Sequence, residues 1–466
     1  MRILLLASLS GAFLPFICAG QSTQPDTILV IGNISIVGNK ITKDRIITRE
    51  LTFHQGDTVS ISDFESRRKR SEENLMNTSL FNSARISSAK QADSTLQVYI
   101  VLTERWYIFP LPIFDIVDRN FNVWWKTKDF SRVVYGGNVT RYNFRGRNET
   151  ISVALQLGYT QRASFSYSIP YINRGQHSGL SFGFSYSRNH QTPYETFNNV
   201  LLYYKDEDSY PRQQTLGSLQ YTYRQGLYVT HYANAAFLQS EIGDSVAILN
   251  PDFFGKGRTS QRAFSLRYLY KSEHRDYVVY PLHGYEYDVE AVKNGFSFLK
   301  DDIDIAFMTA TARKYWKLAS RWFFSAGARG KLSDNNFQPY YNTGALGYGR
   351  DFVRGYEYYV VDGQRFALFK TNLKFELIRK HEVHAGFIPL EKFATIPYSF
   401  YLNLYGDAAY AEDKQFSKYN PLTNSWLFGG GAGIDFVTYY DLVFRLDYSI
   451  NRLGESGFFL HFSAPI

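Results

Sequence analysis

Between Ile151 and Tyr159 the chain alternates strictly. Ile151, Val153, Leu155, Leu157 and Tyr159 are large and apolar, and the residues between them are small or polar. A period of two is the signature of a strand whose faces meet unlike surroundings. Phe165, Tyr167 and Ile169 repeat it with serines between them, and Leu180, Phe182, Phe184 and Tyr186 do so with serine and glycine between. Nearer the C-terminus, Ala367, Phe369, Thr371, Leu373, Phe375 and Leu377 alternate with Lys370, Asn372, Lys374 and Glu376. Charges spaced this regularly opposite apolar side chains predict lipid on one face and a wet lumen on the other, a transmembrane β-barrel. A soluble β-sandwich or lipid-binding barrel is the alternative, and it would need a dry core where these charges stand.

About 360 residues follow Arg105. At roughly 10 residues per strand plus turns, they predict about 16 antiparallel strands. Asn143-Phe144-Arg145-Gly146-Arg147 reads as an early hairpin turn, and Asp276 to Gly284 as one in mid-barrel. The last strands are expected at Gly433–Phe436, Leu442–Ile450 and Gly457–Phe462.

The pattern changes upstream of Arg105. Ile28–Val37 reads as a strand, Gly38-Asn39 as a turn, and Thr42 to Ile47 as a capped helix start. Ser62-Asp63-Phe64-Glu65 fits a capping box opening a second helix that runs to about Asn77. Arg85–Ser88 and Leu96–Leu102 supply two more strands, giving a small α+β unit in the order β-α-α-β-β. The expected divisions are 1–20, 27–105 and 106–466.

Composition refines this picture. Met1-Arg2, the apolar run Ile3 to Ile17 and Cys18-Ala19-Gly20 together predict a secretory signal peptide cleaved after Gly20. Acylation at Cys18 is the alternative, disfavoured by the bulky Ile17 before it. Cys18 is the chain's only cysteine, so the expected mature protein has neither a disulfide framework nor a thiolate metal site. No later stretch approaches the ~20 apolar residues a membrane helix needs, so any membrane span is β. The 37 Tyr and 38 Phe fit the aromatic girdles of outer-membrane barrels. The net charge of +8 is spread along strands and loops, which fits a solvated lumen and rim, and no nucleic-acid partner is expected.

Enzyme chemistry finds little support. Gly179-Leu180-Ser181-Phe182-Gly183 matches G-x-S-x-G, yet Ser181 sits in a continuous alternating run where that motif needs a strand-to-helix elbow. Gly429-Gly430-Gly431-Ala432-Gly433 lacks the dinucleotide-binding register. Asp301, Asp302 and Asp304 read as a polar strand end, without further oxygen ligands for calcium. The basic run Arg67-Arg68-Lys69-Arg70 reads as a solvated helix face, with anionic headgroups or a partner as the alternative. No catalytic residue, metal or cofactor is expected.

The candidate functional residues lie in the C-terminal half. Along Phe400 to Tyr410 the outward set Phe400, Leu402, Leu404, Gly406, Ala408 and Tyr410 forces Tyr401, Asn403, Tyr405 and Asp407 inward. Val353-Arg354-Gly355-Tyr356 falls in a long loop-like segment between strands. If that loop folds into the lumen, Arg354 meets the Asp407 carboxylate, Tyr405 offers its ring face, and Gly355 permits the tight turn.

Gly38-Asn39, Thr42, Arg49-Glu50-Leu51, Gly56-Asp57, Leu80-Phe81-Asn82 and Thr103-Glu104-Arg105, in this element order, resemble a polypeptide-transport-associated (POTRA) domain. The barrel segment resembles the outer-membrane insertase and translocase superfamily, which includes the Bam and Tam assembly proteins and the two-partner-secretion transporters. Val353-Arg354-Gly355-Tyr356 looks like that superfamily's loop motif, and Tyr405-Gly406-Asp407-Ala408-Ala409-Tyr410 like the strand motif that receives it. One departure is the end Phe462-Ser463-Ala464-Pro465-Ile466, where many outer-membrane barrels finish on an aromatic. The resemblance implies a barrel in the bacterial outer membrane with its N-terminal domain in the periplasm. It implies outer-membrane lipids, unfolded client proteins and accessory subunits as partners, and assistance to client insertion or translocation as the function. A passive porin or structural barrel is the alternative, and a two-partner-secretion-like transporter a further one.

Overall fold

The computed structural model describes residues 28–91, 93–116, 124–126, 128, 133–299, 301–334, 336–386, 394–438 and 442–462. The expected signal peptide, Cys18 and the tail from Ser463 lie outside the described residues.

The N-terminal unit runs β1 (Ile28–Val37), α1 (Asp44–Thr48), β2 (Thr58–Ser60), α2 (Ile61–Asn77), β3 (Phe81–Lys90) and β4 (Thr95–Glu104). Its sheet order is β2-β1-β4-β3, with β1 and β4 parallel and the other pairs antiparallel. Alternate residues Leu96, Val98, Ile100 and Leu102 of β4 join Leu29, Ile31, Ile46, Ile47, Phe64 and Leu75 in one apolar core. Three expectations need correction. The order is β-α-β-α-β-β, because the three residues of β2 are too few to show a period yet pair with Ile28–Val30. That pairing also moves the start of α2. Ser60, still extended as the last residue of β2, accepts a bond from the Asp63 amide, so it caps the helix in place of Ser62. Glu65 pairs with Arg68 instead. Nor does Thr42 cap α1: its hydroxyl and amide both donate to Glu104, which ends β4.

The barrel is one antiparallel sheet of 16 strands. Its first eight are β5 (Ile108–Ile116), β6 (Val133–Phe144), β7 (Glu149–Gly158), β8 (Thr160–Ile169), β9 (Ser178–Asn189), β12 (Arg212–Gln225), β13 (Val229–Ile242) and β14 (Ser260–Glu273). The hairpin β10 (Gln191–Phe197) and β11 (Val200–Lys205) stands apart within the β9–β12 connection. The other eight are β15 (Gly284–Asn294), β16 (Ile305–Lys317), β17 (Trp322–Ser333), β20 (Arg365–His384), β21 (Thr395–Glu412), β22 (Trp426–Thr438), β23 (Val443–Asn451) and β24 (Ser456–His461). The ribbon β18 (Gly344–Leu346) and β19 (Val361–Asp362) lies in the β17–β20 connection. Parity assigns the faces as expected. Phe369 and Leu404 are about half exposed, whereas Lys370, Asn372, Lys374 and Asp407 are buried in the interior. Ser181 is a mid-strand residue of β9 with its hydroxyl 2.9 Å from that of Ser168, so no nucleophile elbow exists there. No helix of the described residues is long and apolar enough to cross a membrane.

The N-terminal unit docks on the turns at one end of the barrel. The Arg224 guanidinium grips both oxygens of Glu50, at 2.6 and 2.8 Å, and Arg49 lies over the Tyr171 ring. Thr42 accepts from the Asn143 amide beside the turn at 145–148. Arg70 of the basic run reaches Tyr228, while Arg67 and Arg68 pair with acids of their own domain. At the opposite end the loops close into a dome. The buried Asn199 donates to the Val360 carbonyl and accepts from the Leu422 amide, and Asn420 ties back to the Thr196 carbonyl.

Candidate functional site

The connection 334–364, on the dome side, turns back into the lumen. Val353 and Tyr356 drive it there by burying among Leu346, Val361, Phe366, Leu368, Ala409, Leu422 and Leu427. Arg354, between them, is 0% exposed and aims at β21. Its Nε lies 2.8 Å from Asp407 Oδ2 and its Nη2 2.5 Å from Oδ1, a bidentate fork. The remaining donors are satisfied too: Nη1 reaches Asn372 Oδ1 at 2.7 Å, Nη2 the Thr371 carbonyl, and the backbone amide Asp407 Oδ2. The guanidinium carbon stands 3.9 Å from the centre of the Tyr405 ring, whose hydroxyl is held by Ser449. A charge this buried is tolerable only with such complete pairing.

Gly355 takes φ of +94° and its carbonyl accepts from Asn451 Nδ2 at 2.8 Å. Glu357 follows, accepting from the Gly355 amide, and lies 3.5 Å from Nε2 of His461 on β24. The loop therefore touches β20, β21, β22, β23 and β24. All six candidate residues, Val353, Arg354, Gly355, Tyr356, Tyr405 and Asp407, meet at one place in the lumen.

Residues 143–372 match the Omp85 superfamily domain, and residues 29–105 match the POTRA family described as surface antigen variable number repeat. The chain carries an Omp85 superfamily domain behind one POTRA domain. The structure of BamA from Haemophilus ducreyi lacking POTRA domains 1-3 aligns over 93% of this chain and 83% of its own, with 14% identity and a TM-score of 0.52. That likeness is one of fold. CdiB from Escherichia coli aligns over 96% of this chain and 91% of its own, with 9% identity and a TM-score of 0.49. No curated protein matches the sequence. The Omp85 barrel belongs to the outer membrane, with the POTRA domain in the periplasm.

Sequence reasoning missed part of the candidate site. Gly429, Gly431 and Gly433 share the inward face of β22, opposite Asp407, Tyr405 and Asn403. A Cβ on Gly429 would stand 1.9 Å from the Arg354 carbonyl oxygen, one on Gly431 2.6 Å from the Tyr405 hydroxyl, and one on Gly433 1.9 Å from Asp447 Oδ1. Gly429 is thus where the wall receives the loop, while Gly431 and Gly433 make room for Tyr405 and Asp447, and their inward parity was the available signal. Asn372 faced inward by the same parity but nothing marked it as a partner of Arg354, and Asn451 carried no signal. Among the described residues no group of histidine, cysteine and acid side chains is arranged to hold a metal ion. Asp302 pairs with Arg258, Asp304 with Lys293, and Asp301 accepts backbone amides.

Proposed function

We propose that this Omp85 barrel assists the insertion or translocation of unfolded client proteins at the outer membrane. The observation that carries the reading is the loop fastened across β20, β21, β23 and β24, through Arg354 on Asp407, Gly355 on Asn451 and Glu357 beside His461. A fastening there bears on the strands at one edge of the sheet. β24 has six residues and pairs with β23, and at the sheet's other end β5 pairs with β6. Parting strands at these ends disturbs few ladder bonds and offers backbone groups to an incoming client strand. The POTRA sheet ends on β3, whose outer edge can receive an extended client segment in the same way. In this mechanism the POTRA domain captures the client, the barrel opens laterally, and the Arg354 fork keeps the remaining wall in shape.

The dome and the lumenal loop argue against a passive porin, which needs an open water path through the barrel. The test is an unfolded client barrel added to liposomes that contain the purified protein, with protease protection and ion conductance followed together. Accelerated protection with little conductance supports the reading. Steady conductance without acceleration favours the porin.

A further inference from the structure

The mid-barrel turn 274–283 is longer than a hairpin requires, and it folds upward into the barrel. Asp276 holds it in shape by accepting from the amides of Tyr277 and Leu282. At its tip Tyr280 is 3% exposed, although it leaves the sheet between β14 and β15 on the far wall. The Tyr280 hydroxyl donates to Asp435 Oδ2 at 2.6 Å, and its ring packs on Tyr401 at 4.9 Å and into a cluster with Phe323 and Val443. Asp435 also takes the Arg445 fork, at 2.5 and 2.7 Å, and a bond from Asn403. Thus one turn from β14–β15 reaches β17, β21, β22 and β23 beneath the Arg354 site.

The base of the same turn is held by the POTRA domain. Asn77, the last residue of α2, accepts from the Val278 amide at 3.0 Å and donates to the Asp276 carbonyl at 3.1 Å. Arg70, two helical turns earlier, donates to the Arg275 carbonyl and to Tyr228. The helix end and the lumenal tyrosine therefore sit on one short, internally braced segment.

We propose that the 274–283 turn is a withdrawable plug that couples the position of the POTRA domain to closure of the lumen floor. The inserted state is supported by one charge-assisted hydrogen bond and an apolar cluster. The withdrawn state has its own compensation. Lys374 is 2% exposed, its Nζ lies 4.1 Å from the Tyr280 ring centre, and it has no hydrogen-bond partner among the described residues. Withdrawal exchanges the ring contact of that ammonium for water, which also reaches Asp435, so part of what the inserted state gains is returned by hydration.

The test uses a thiol at Ser325, which is buried on β17 one inward position above Phe323. The full chain carrying Ser325→Cys, in a Cys18→Ser background, is labelled with a water-soluble maleimide, and heat-modifiable electrophoretic mobility verifies that each variant is folded. Tyr280→Phe keeps the ring and removes the hydroxyl, and roughly tenfold faster labelling is expected from the lost charge-assisted bond. Asn77→Ala, which lies in the POTRA domain, is expected to accelerate labelling in the same direction. Unchanged labelling in Tyr280→Phe overturns the plug. Acceleration by Tyr280→Phe but not by Asn77→Ala overturns the coupling. The assay contains no client, so failure of the insertase reading leaves its outcome intact.

Discussion

The carbonyl oxygen of Arg354 stands where a Cβ on Gly429 would be, 1.9 Å from the ideal position. A strand that carries no side chain there lets the loop backbone lie directly on the barrel wall, and this close approach sets the depth at which the Arg354 fork meets Asp407. Gly429→Ala is expected to lift the loop and lower barrel stability by about 1–3 kcal/mol through overpacking. Gly217→Ala, in β12 with open space around its Cβ position, is expected to change stability by less than about 0.5 kcal/mol. Thermal unfolding of the two variants in the same detergent checks the contrast.

The ion pair itself gives a second prediction. Both side chains are fully buried, so removing one partner strands the other's charge. Asp407→Asn or Arg354→Ala should each cost on the order of 3–5 kcal/mol, and the double variant Arg354→Met with Asp407→Leu should recover a large share of that loss. Arg354→Lys should behave as a poor substitute, because an ammonium cannot bridge both carboxylate oxygens, Asn372 and the Thr371 carbonyl together. A double-mutant cycle in unfolding free energy measures the coupling directly.

Much of this was legible from parity alone. Alternation placed Asp407, Tyr405 and the lysines of β20 on the inside, and Arg354 in a long loop needed an acid within reach. The register between strands was not legible, because alternation along one strand carries no information about its height relative to the next. Gly429 therefore read only as part of a glycine run without dinucleotide-binding register, and Asn451 fell just past the expected strand Leu442–Ile450. Tertiary pairing likewise overrode local signals at Ser60, where a three-residue strand moved the helix cap from Ser62. Asp276 to Gly284 read as a simple turn, since no local pattern announces that Tyr280 has a partner as far away as Asp435.

The dome yields a third prediction. Asn199 joins the Val360 carbonyl to the Leu422 amide with its own side chain, and both partners lie in other loops. Asn199→Ala leaves two buried backbone groups unpaired, a cost of about 1–3 kcal/mol each. Limited proteolysis from outside intact proteoliposomes should then cut the connections 190–211 and 413–425 faster, with the strands unaffected.

Stability is expected to decline in mild acid. The His274 ring is stacked between Tyr228 and Tyr285, with centroids at 4.5 and 4.6 Å. Burial, and next the nearby Arg70 guanidinium, hold its pKa below the ordinary 6.5, while Glu273 opposes them. The unfolded chain therefore takes up this proton first as pH falls through about 6.5. The native state gains no matching proton in that window, so stability declines there and levels off only below the lowered native value. His274→Gln should flatten the decline. Thermal midpoints of both proteins across this pH range provide the check.

Client folding in liposomes decides whether the fastened loop serves insertion. The rate at which an unfolded client barrel becomes protease-protected is compared in liposomes containing the wild type and in liposomes containing Arg354→Ala, each confirmed as a folded barrel. The wild type is expected to accelerate protection over empty liposomes, and folded Arg354→Ala to lose that acceleration. Equal acceleration by both proteins, or none by the wild type, would contradict that role of the loop.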